Sequence, residues 1–327
     1  MQVLVLGGSG MVGRKLIGSF AASPEINGQV VSALTAFDVV DTPAMTDGSF
    51  PILSTTGDIA DADTVNALVA ERPDVIFHLA AIVSGEAELD FEKGYAINFD
   101  GTRHLLEAIR KQGDDYKPRV VYTSSIAVFG APFPDRIPDT HHHTPLTSYG
   151  AQKSVGELLL ADYCRRGFCD GIGIRLPTIV VRPGKPNKAA SGFFSNIIRE
   201  PLAGERADLP VDESVRHWLA SPRSAAGFLR HASAIPLPQG VNGRSYTMPG
   251  LDCTVGEMIE ALRQVAGNAV ADRIDRKPDP FIQQIVAGWP QAFDTRAASD
   301  LGFAAENQFE EIIAAHIEDE LGGALPT

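Results

Sequence analysis

The stretch QVLVLGGSGMVGRKL, at positions 2–16, sets an aliphatic run directly against a glycine-spaced turn and an amphipathic segment. A strand that runs through closely spaced glycines straight into a helix must turn tightly. It leaves the first N–H groups of that helix without intrahelical acceptors. Such a turn receives an anion, above all a pyrophosphate, on backbone N–H groups at the positive end of the helix dipole. Two spacings overlap here. Gly8, Gly10 and Gly13 make G-x-G-x-x-G, and Gly7, Gly10 and Gly13 make G-x-x-G-x-x-G. The stretch alone fits both, with Met11 and Val12 in the first helical turn.

The pattern that follows repeats this unit. VVSALTAFD, DVIFHLAA, PRVVYTSS and GIGIRLPTIV read as strands. ADTVNALVAER, the segment 91–112 and SYGAQKSVGELLLADYCRRG read as helices between them. Strands alternating with helix-length amphipathic segments give a parallel sheet covered by helices. The expected fold class is therefore α/β, a Rossmann-type doubly wound parallel sheet with a smaller mixed C-terminal substrate lobe. After residue 181 the composition shifts to RPGKPNKAASG, rich in Pro, Gly and Lys. This places a dinucleotide-binding domain at 1–181, with 220–247 packing back on it. A substrate-binding lobe at 182–327 is expected over the carboxyl ends of the strands, where ligands bind in such folds.

With 327 residues and 44% apolar composition the chain can bury a sizeable core. A net charge of −13 argues against nucleic acid as a partner. No run has the length to cross a bilayer, and the N-terminus lacks the basic region of a secretory leader. Cys164, Cys169 and Cys253 form no metal spacing and fit a reducing, cytoplasmic setting as free thiols. No metal site is expected, the adjacent histidines 141–143 included. Between Arg182 and Arg199 lie Lys185 and Lys188 with no acidic residue, a local basic stretch in an acidic chain.

The second strand ends at Asp38, and no Arg or Lys occurs at 36–46. A carboxylate there accepts the adenosine ribose hydroxyls and repels a 2′-phosphate, which favours NAD over NADP. Asp41, past the strand end, is the competing candidate. Tyr149 and Lys153 in SYGAQK lie one helical turn apart on the same face. A tyrosine ionises near pH 10, and a neighbouring ammonium stabilises its phenolate and brings it within reach as a base. One strand upstream, Ser124 and Ser125 end PRVVYTSS, where a hydroxyl can hold the substrate oxygen that loses its proton.

Taken in order, these motifs resemble the extended short-chain dehydrogenase/reductase family, related to nucleotide-sugar epimerases. The resemblance runs through G-x-x-G-x-x-G, the pair Asp58 and Ile59, HLAA at 78–81, INFDGTRHLLEA around Asn98, SSIAVFG, SYGAQK and RHW at 216–218. It selects the Gly7, Gly10, Gly13 register. It implies Ser125, Tyr149 and Lys153 as the catalytic set, with Tyr149 as base and Lys153 also on the nicotinamide ribose. It further implies Asp58 and Ile59 at the adenine, Leu79, Ala80 and Ala81 along the cofactor, and Asn98 in support of the site. A homodimer through the helices flanking the site is the expectation by the same resemblance.

The departures narrow the chemistry. Ile126 and Ala127 follow Ser125 where sugar-nucleotide dehydratases carry an acid pair, and Thr178 stands where epimerases carry Asn. LTSYGAQK, the 175–204 segment and RHWLASPRSA resemble the D-erythronate dehydrogenase branch of the family. That resemblance implies NAD-dependent oxidation of the C2 hydroxyl of a small anionic sugar acid. A carboxylate calls for an arginine fork. Arg216 is the first candidate, with Arg182, Lys185, Asn187 and Ser191 behind it, and Ser84 and Thr178 complete the substrate candidates. The competing readings are a nucleotide-sugar 4-epimerase and a non-catalytic NAD-binding sensor.

Overall fold

The computed structural model describes residues 1–43, 50–184, 190–237 and 243–325. The chain divides into two compact units. The first is Met1–Val128, Pro145–Leu176 and Ala226–Thr247; the second is Phe129–Thr144, Pro177–Ala225 and Met248–Thr327.

The first unit is built on one sheet. Its strands are β1 (Gln2–Leu6), β2 (Ala33–Asp38), β3 (Ile52–Thr56), β4 (Val75–His78), β5 (Arg119–Ser125), β6 (Asp170–Leu176) and β7 (Ser245–Thr247). They lie in the order β7-β6-β5-β4-β1-β2-β3, and every neighbouring pair is parallel. Strand order reverses between β1 and β4, which opens a crevice at their carboxyl ends. The central strands are apolar on both faces, as a covered parallel sheet requires; all four residues of β4 are buried. The fold is the doubly wound α/β class read from the sequence.

The helices flanking this sheet include α1 (Met11–Ala22), α2 (Ala62–Ala70), α3 (Gly101–Lys111) and α4 (Ser148–Arg165). Helix α1 buries Leu16, Ile17 and Phe20, an i, i+1, i+4 stripe. Leu4, Leu6, Phe37, Ile76, Leu105, Ile109, Val120 and Leu160 form one core cluster of sheet and helix residues. The long helix expected at 91–112 has a break in its winding. Phe91–Gly94 is α-helical, Tyr95–Asp100 is a π-helix, and α3 follows. The wider turn lies where Asn98 sits, in keeping with the tendency of such segments to occur at functional sites.

The second unit has a three-stranded sheet with Arg216–Ala220 at its centre. That strand runs parallel to Thr178–Ile179 and antiparallel to Leu251–Thr254. Its core gathers Phe193, Phe194, Ile197, Ile198, Leu262 and Ile313 from helices Gly192–Leu202, Val255–Ala266 and Phe309–Glu320. His217 lies flat on Phe194 at 5.1 Å, and Trp218 is buried with Nε1 donating to the Met248 carbonyl at 3.1 Å. All three cysteines are free thiols, but two are neighbours: the sulfurs of Cys164 and Cys169 stand 3.6 Å apart.

Candidate active site

The glycine turn is held by the end of β2. The N–H groups of Gly7 and Gly8 both donate to the Phe37 carbonyl, at 2.8 and 3.1 Å. Gly7 has φ of +91°, and a Cβ on it would lie 2.7 Å from the Ala80 nitrogen. A Cβ on Gly13 would lie 2.2 Å from the Gly7 carbonyl oxygen. Neither position can take a side chain without moving backbone. Gly10 differs, since a Cβ there meets only the Gly7 oxygen, at 3.4 Å. It is the N-cap of α1, with no side-chain cap and no acid in the first turn. The N–H groups of Met11, Val12 and Gly13 are thus left with an uncapped, electropositive helix end. A dinucleotide pyrophosphate fits this cradle.

Asp38, at the carboxyl end of β2, accepts the N–H groups of Ser9 (2.9 Å) and Val39 (2.7 Å). A carboxylate retains further lone-pair sites after two such bonds, enough for ribose hydroxyls. Leu79 and Ala80 are tied to β1 by donation of both N–H groups to the Leu6 carbonyl at 2.8 Å, and half-buried Ala81 follows. Asp58 accepts the Ala60 N–H at 2.9 Å. The Ile59 side chain is buried in the core, where a Cβ on Gly101 would approach it to 2.9 Å. Contact between Ile59 and an adenine would therefore run through backbone. Asn98 is fully enclosed. Its Oδ1 accepts the Ile82 N–H (2.9 Å), and its Nδ2 donates to the Ile82 carbonyl (3.2 Å) and to Gln152 Oε1 (2.7 Å).

Helix α4 starts on the Thr147 cap, whose hydroxyl accepts the Gly150 N–H at 3.1 Å, so Tyr149 falls in the first turn. Two contacts set how closely α4 meets β5. A Cβ on Gly150 would lie 2.2 Å from the Ala127 carbonyl oxygen, and one on Gly156 would lie 2.2 Å from the Tyr122 hydroxyl. The first turn of α4 is thereby pressed against the bend that follows Ser125. Lys153 Nζ donates to the Thr123 carbonyl at 2.8 Å, 5.7 Å from the Tyr149 ring centre and 5.0 Å from that of Tyr122. Burial pulls the Lys153 ammonium down to about 8, with the Glu157 carboxylate acting in the opposite direction. His78 is fully buried, its Nε2 2.8 Å from the Thr102 hydroxyl. Burial, then the Lys153 charge, lowers it to about 3, so it is neutral at physiological pH.

The two serines at the end of β5 differ in environment. Ser124 is 2% exposed and donates its hydroxyl to Glu157. Ser125 is half-buried, and its Oγ accepts the Ala127 N–H at 3.1 Å, which leaves the hydroxyl proton to be donated. Ser125 is accordingly the one chemically suited to a substrate oxygen.

The substrate candidates occupy varied settings. Ser84 begins the short helix Ser84–Leu89 in the first unit and is half-buried. In the second unit Thr178 Oγ1 lies 2.7 Å from His217 Nε2. Arg216 meets the Asp252 carboxylate at 2.8 Å and Glu257 at 3.7 Å. Arg182 donates to the Ile179 carbonyl (2.9 Å) and to the Ser191 hydroxyl (3.0 Å). Lys185 and Asn187 lie outside the described residues.

The sequence did not anticipate the Thr123 carbonyl, Gln152, Glu157 or Arg175 at this site, nor the bond between Ser124 and Glu157. A signal for one of them was present. Tyr149, Lys153 and Glu157 follow each other at i, i+4 and i+8 on one face of α4. Among the described residues no cluster of His, Cys, Asp or Glu could hold a metal, and no helix is long and apolar enough to cross a membrane.

Comparison with known proteins adds four findings. The chain matches the NAD dependent epimerase/dehydratase family over residues 3–230. It is 44% identical to the D-erythronate dehydrogenase of Cupriavidus necator, over 98% of both chains. With the D-erythronate dehydrogenase of Haemophilus influenzae it shares 40% identity over 98% of this chain and 100% of the relative. A crystal structure described as the nucleoside-diphosphate-sugar epimerase from Agrobacterium tumefaciens superposes with a TM-score of 0.97. It has 57% identity and covers 100% of this chain and 96% of that one.

Proposed function

Because the chain belongs to the NAD dependent epimerase/dehydratase family, we propose that it is an NAD-dependent dehydrogenase oxidising the C2 hydroxyl of D-erythronate to 2-oxo-tetronate. The observation that carries this reading is the full-length similarity to two D-erythronate dehydrogenases. The uncapped glycine turn at the start of α1 and the Asp38 carboxylate suit NAD. When bound, NAD supplies the acceptor for the hydride that leaves C2.

The rest of the chemistry falls to the chain's own residues. Ser125 donates its hydroxyl proton in a hydrogen bond to the C2 oxygen. Tyr149, as phenolate, accepts that oxygen's proton while the C–O bond becomes a carbonyl. Lys153 holds its positive charge beside the phenol and favours the ionised tyrosine. It would also hold the nicotinamide ribose. Asn98 fixes the 82 loop against α4 through Gln152. Gly7, Gly10, Met11, Val12 and Gly13 would hold the pyrophosphate, Asp38 the ribose, and Asp58, Ile59 and the 79–81 segment the rest of the nucleotide.

The lobe at 182–327 is assigned to the sugar acid. Its carboxylate is given first to Arg182, because Arg182 and Ser191, two of the candidates, meet at 3.0 Å; Arg216, beside Asp252 and Glu257, follows, with Lys185 and Asn187 behind it. Thr178 and Ser84 are given to the substrate hydroxyls. The chain is further assigned to the cytoplasm, which its three free thiols suit. Exposed Leu89, Phe91 and Leu158 on the first unit suit a homodimer, and light scattering that returns a monomer mass rejects it.

A panel of three- to six-carbon sugar acids, each offered with NAD and with NADP, tests the reading through reduced coenzyme. Reduction of NAD only, and best with D-erythronate, is expected; a flat response across the panel defeats the proposal. A second reading, a nucleotide-sugar 4-epimerase, is favoured by the 57% identity to the Agrobacterium protein.

A further inference from the structure

Beneath the Tyr149 and Lys153 pair lies a second polar layer that the mechanism above does not use. Glu157 is 4% exposed and stands one turn beyond Lys153 on the same face of α4. Arg175 of β6, also 4% exposed, grips it with two nitrogens. Its Nη2 lies 2.8 Å from Oε2, and its Nε lies 3.0 Å from Oε1 and 3.2 Å from Oε2. Ser124 of β5 donates its hydroxyl to Oε1 of the same carboxylate. Three elements of the sheet and its covering helix thus converge on a single buried negative charge.

A buried ion pair of this kind is weak evidence for stability, because two apolar side chains of similar volume serve as well. Its position suggests a different use. Lys153 is 2% exposed and donates to the neutral Thr123 carbonyl. The groups facing it are Tyr149 and Glu157 on its own helix, the Tyr122 ring on β5 and neutral His78 on β4. The 126–128 bend packed on α4 carries no titratable group; Tyr95 and Asp100 lie on the π-helical segment, Asp100 turned to Arg103 at 3.3 Å. On the other helices packed on α4 the half-exposed Glu86 meets Lys93 at 2.6 Å, Glu88 accepts the Ser148 N–H at 2.9 Å and Glu107 meets Arg110 at 2.7 Å. Of the groups facing Lys153, Glu157 carries the negative charge.

We propose that Glu157 is the buried counter-charge that keeps Lys153 protonated, held in place for that task by the Ser124 hydroxyl and the Arg175 guanidinium. It is a positioning residue that never touches substrate. The proposal rests on Tyr149 as the base, since a neutral Lys153 no longer favours the phenolate. Burial alone disfavours the ammonium, and the carboxylate one turn away counters it. The same network explains why two serines end β5. Ser125 is left for chemistry, while Ser124 anchors the charge.

The test uses the apoprotein. The stability of the parent minus that of Lys153→Met, followed from pH 6 to 11, reads Lys153 ionisation. Repeating it in the Glu157→Gln background is expected to move the inflection down by about one pH unit. Glu157→Gln leaves Arg175 buried without its partner and can fail to fold. Glu157→Gln with Arg175→Gln removes both charges and is expected to shift the inflection in the same direction. A purely structural role lowers the melting temperature evenly across pH, and an unmoved inflection in the background that folds overturns the proposal. If the inflection moves while D-erythronate is not oxidised, the charge relationship stands and the functional reading falls. If oxidation occurs and the inflection stays put, only the present proposal falls.

Discussion

Lys153 Nζ lies 5.7 Å from the centre of the Tyr149 ring and donates at 2.8 Å to the Thr123 carbonyl, so helix α4 and strand β5 jointly hold an ammonium beside a phenol. Neither element does this alone. The helix supplies both side chains at a four-residue spacing, and the strand supplies the acceptor that stops the lysine from turning away.

Tyr149→Phe removes the proton acceptor and keeps the ring. Turnover is expected to fall by about 10²–10⁴-fold, the usual contribution of a positioned base. NAD affinity, measured by fluorescence titration, should stay within a few-fold of the parent. A variant with near-native turnover removes Tyr149 from its role.

Lys153→Met tests the same pair through stability. The folded ammonium releases its proton near pH 8, whereas an unfolded lysine keeps it to about 10.5. Between those values the unfolded state binds more protons, so the parent gains stability as pH rises. The gain is about 3 kcal/mol if the full shift is expressed. Lys153→Met lacks the rise, and denaturant titrations at pH 7.5 and 10.5 measure the difference. Equal slopes for the two proteins would show that Lys153 is not held as described.

Gly10 and Gly13 should separate binding from folding. A Cβ on Gly13 meets a backbone oxygen at 2.2 Å, so Gly13→Ala is expected to cost about 1–3 kcal/mol of stability. Gly10→Ala finds its nearest neighbour at 3.4 Å and should leave stability within about 0.5 kcal/mol. Its methyl stands at the uncapped end of α1, where it should weaken NAD binding about tenfold or more. Thermal melts with and without NAD distinguish the two effects, and Gly10→Ala with parental affinity refutes the pyrophosphate assignment.

The pattern of the sheet was open to inspection in the sequence, because its central strands are continuous apolar runs between amphipathic helices. The two edges were not. Strand β3 (Ile52–Thr56) is mostly exposed, so no buried apolar run marks it. Strand β7 (Ser245–Thr247) is three residues long, and its pairing with β6 comes from far along the chain. At the site, Tyr149, Lys153 and the glycine turn are spaced by local geometry and could be named in advance. The division of labour between Ser124 and Ser125 depends on Glu157 and Arg175, which meet only when α4, β5 and β6 assemble. Likewise the ion pairs that occupy Arg216 come from Asp252 and Glu257 across a sheet pairing that no spacing announces.

The two arginines invite a direct comparison. Arg182→Ala is expected to raise KM for the sugar acid about 10–100-fold, the loss of a charge-assisted carboxylate contact. Arg216→Ala removes a half-exposed ion pair and should cost at most about 1 kcal/mol of stability with KM little changed. A larger KM effect at Arg216 reverses the assignment.

The most direct test of the central claim is to incubate the purified protein with D-erythronate and NAD and follow absorbance at the reduced nicotinamide band. Net NADH in step with a 2-oxo acid product is the predicted result. No net NADH, with a nucleoside-diphosphate sugar interconverted while the coenzyme stays bound, would contradict the dehydrogenase reading and establish the epimerase in its place.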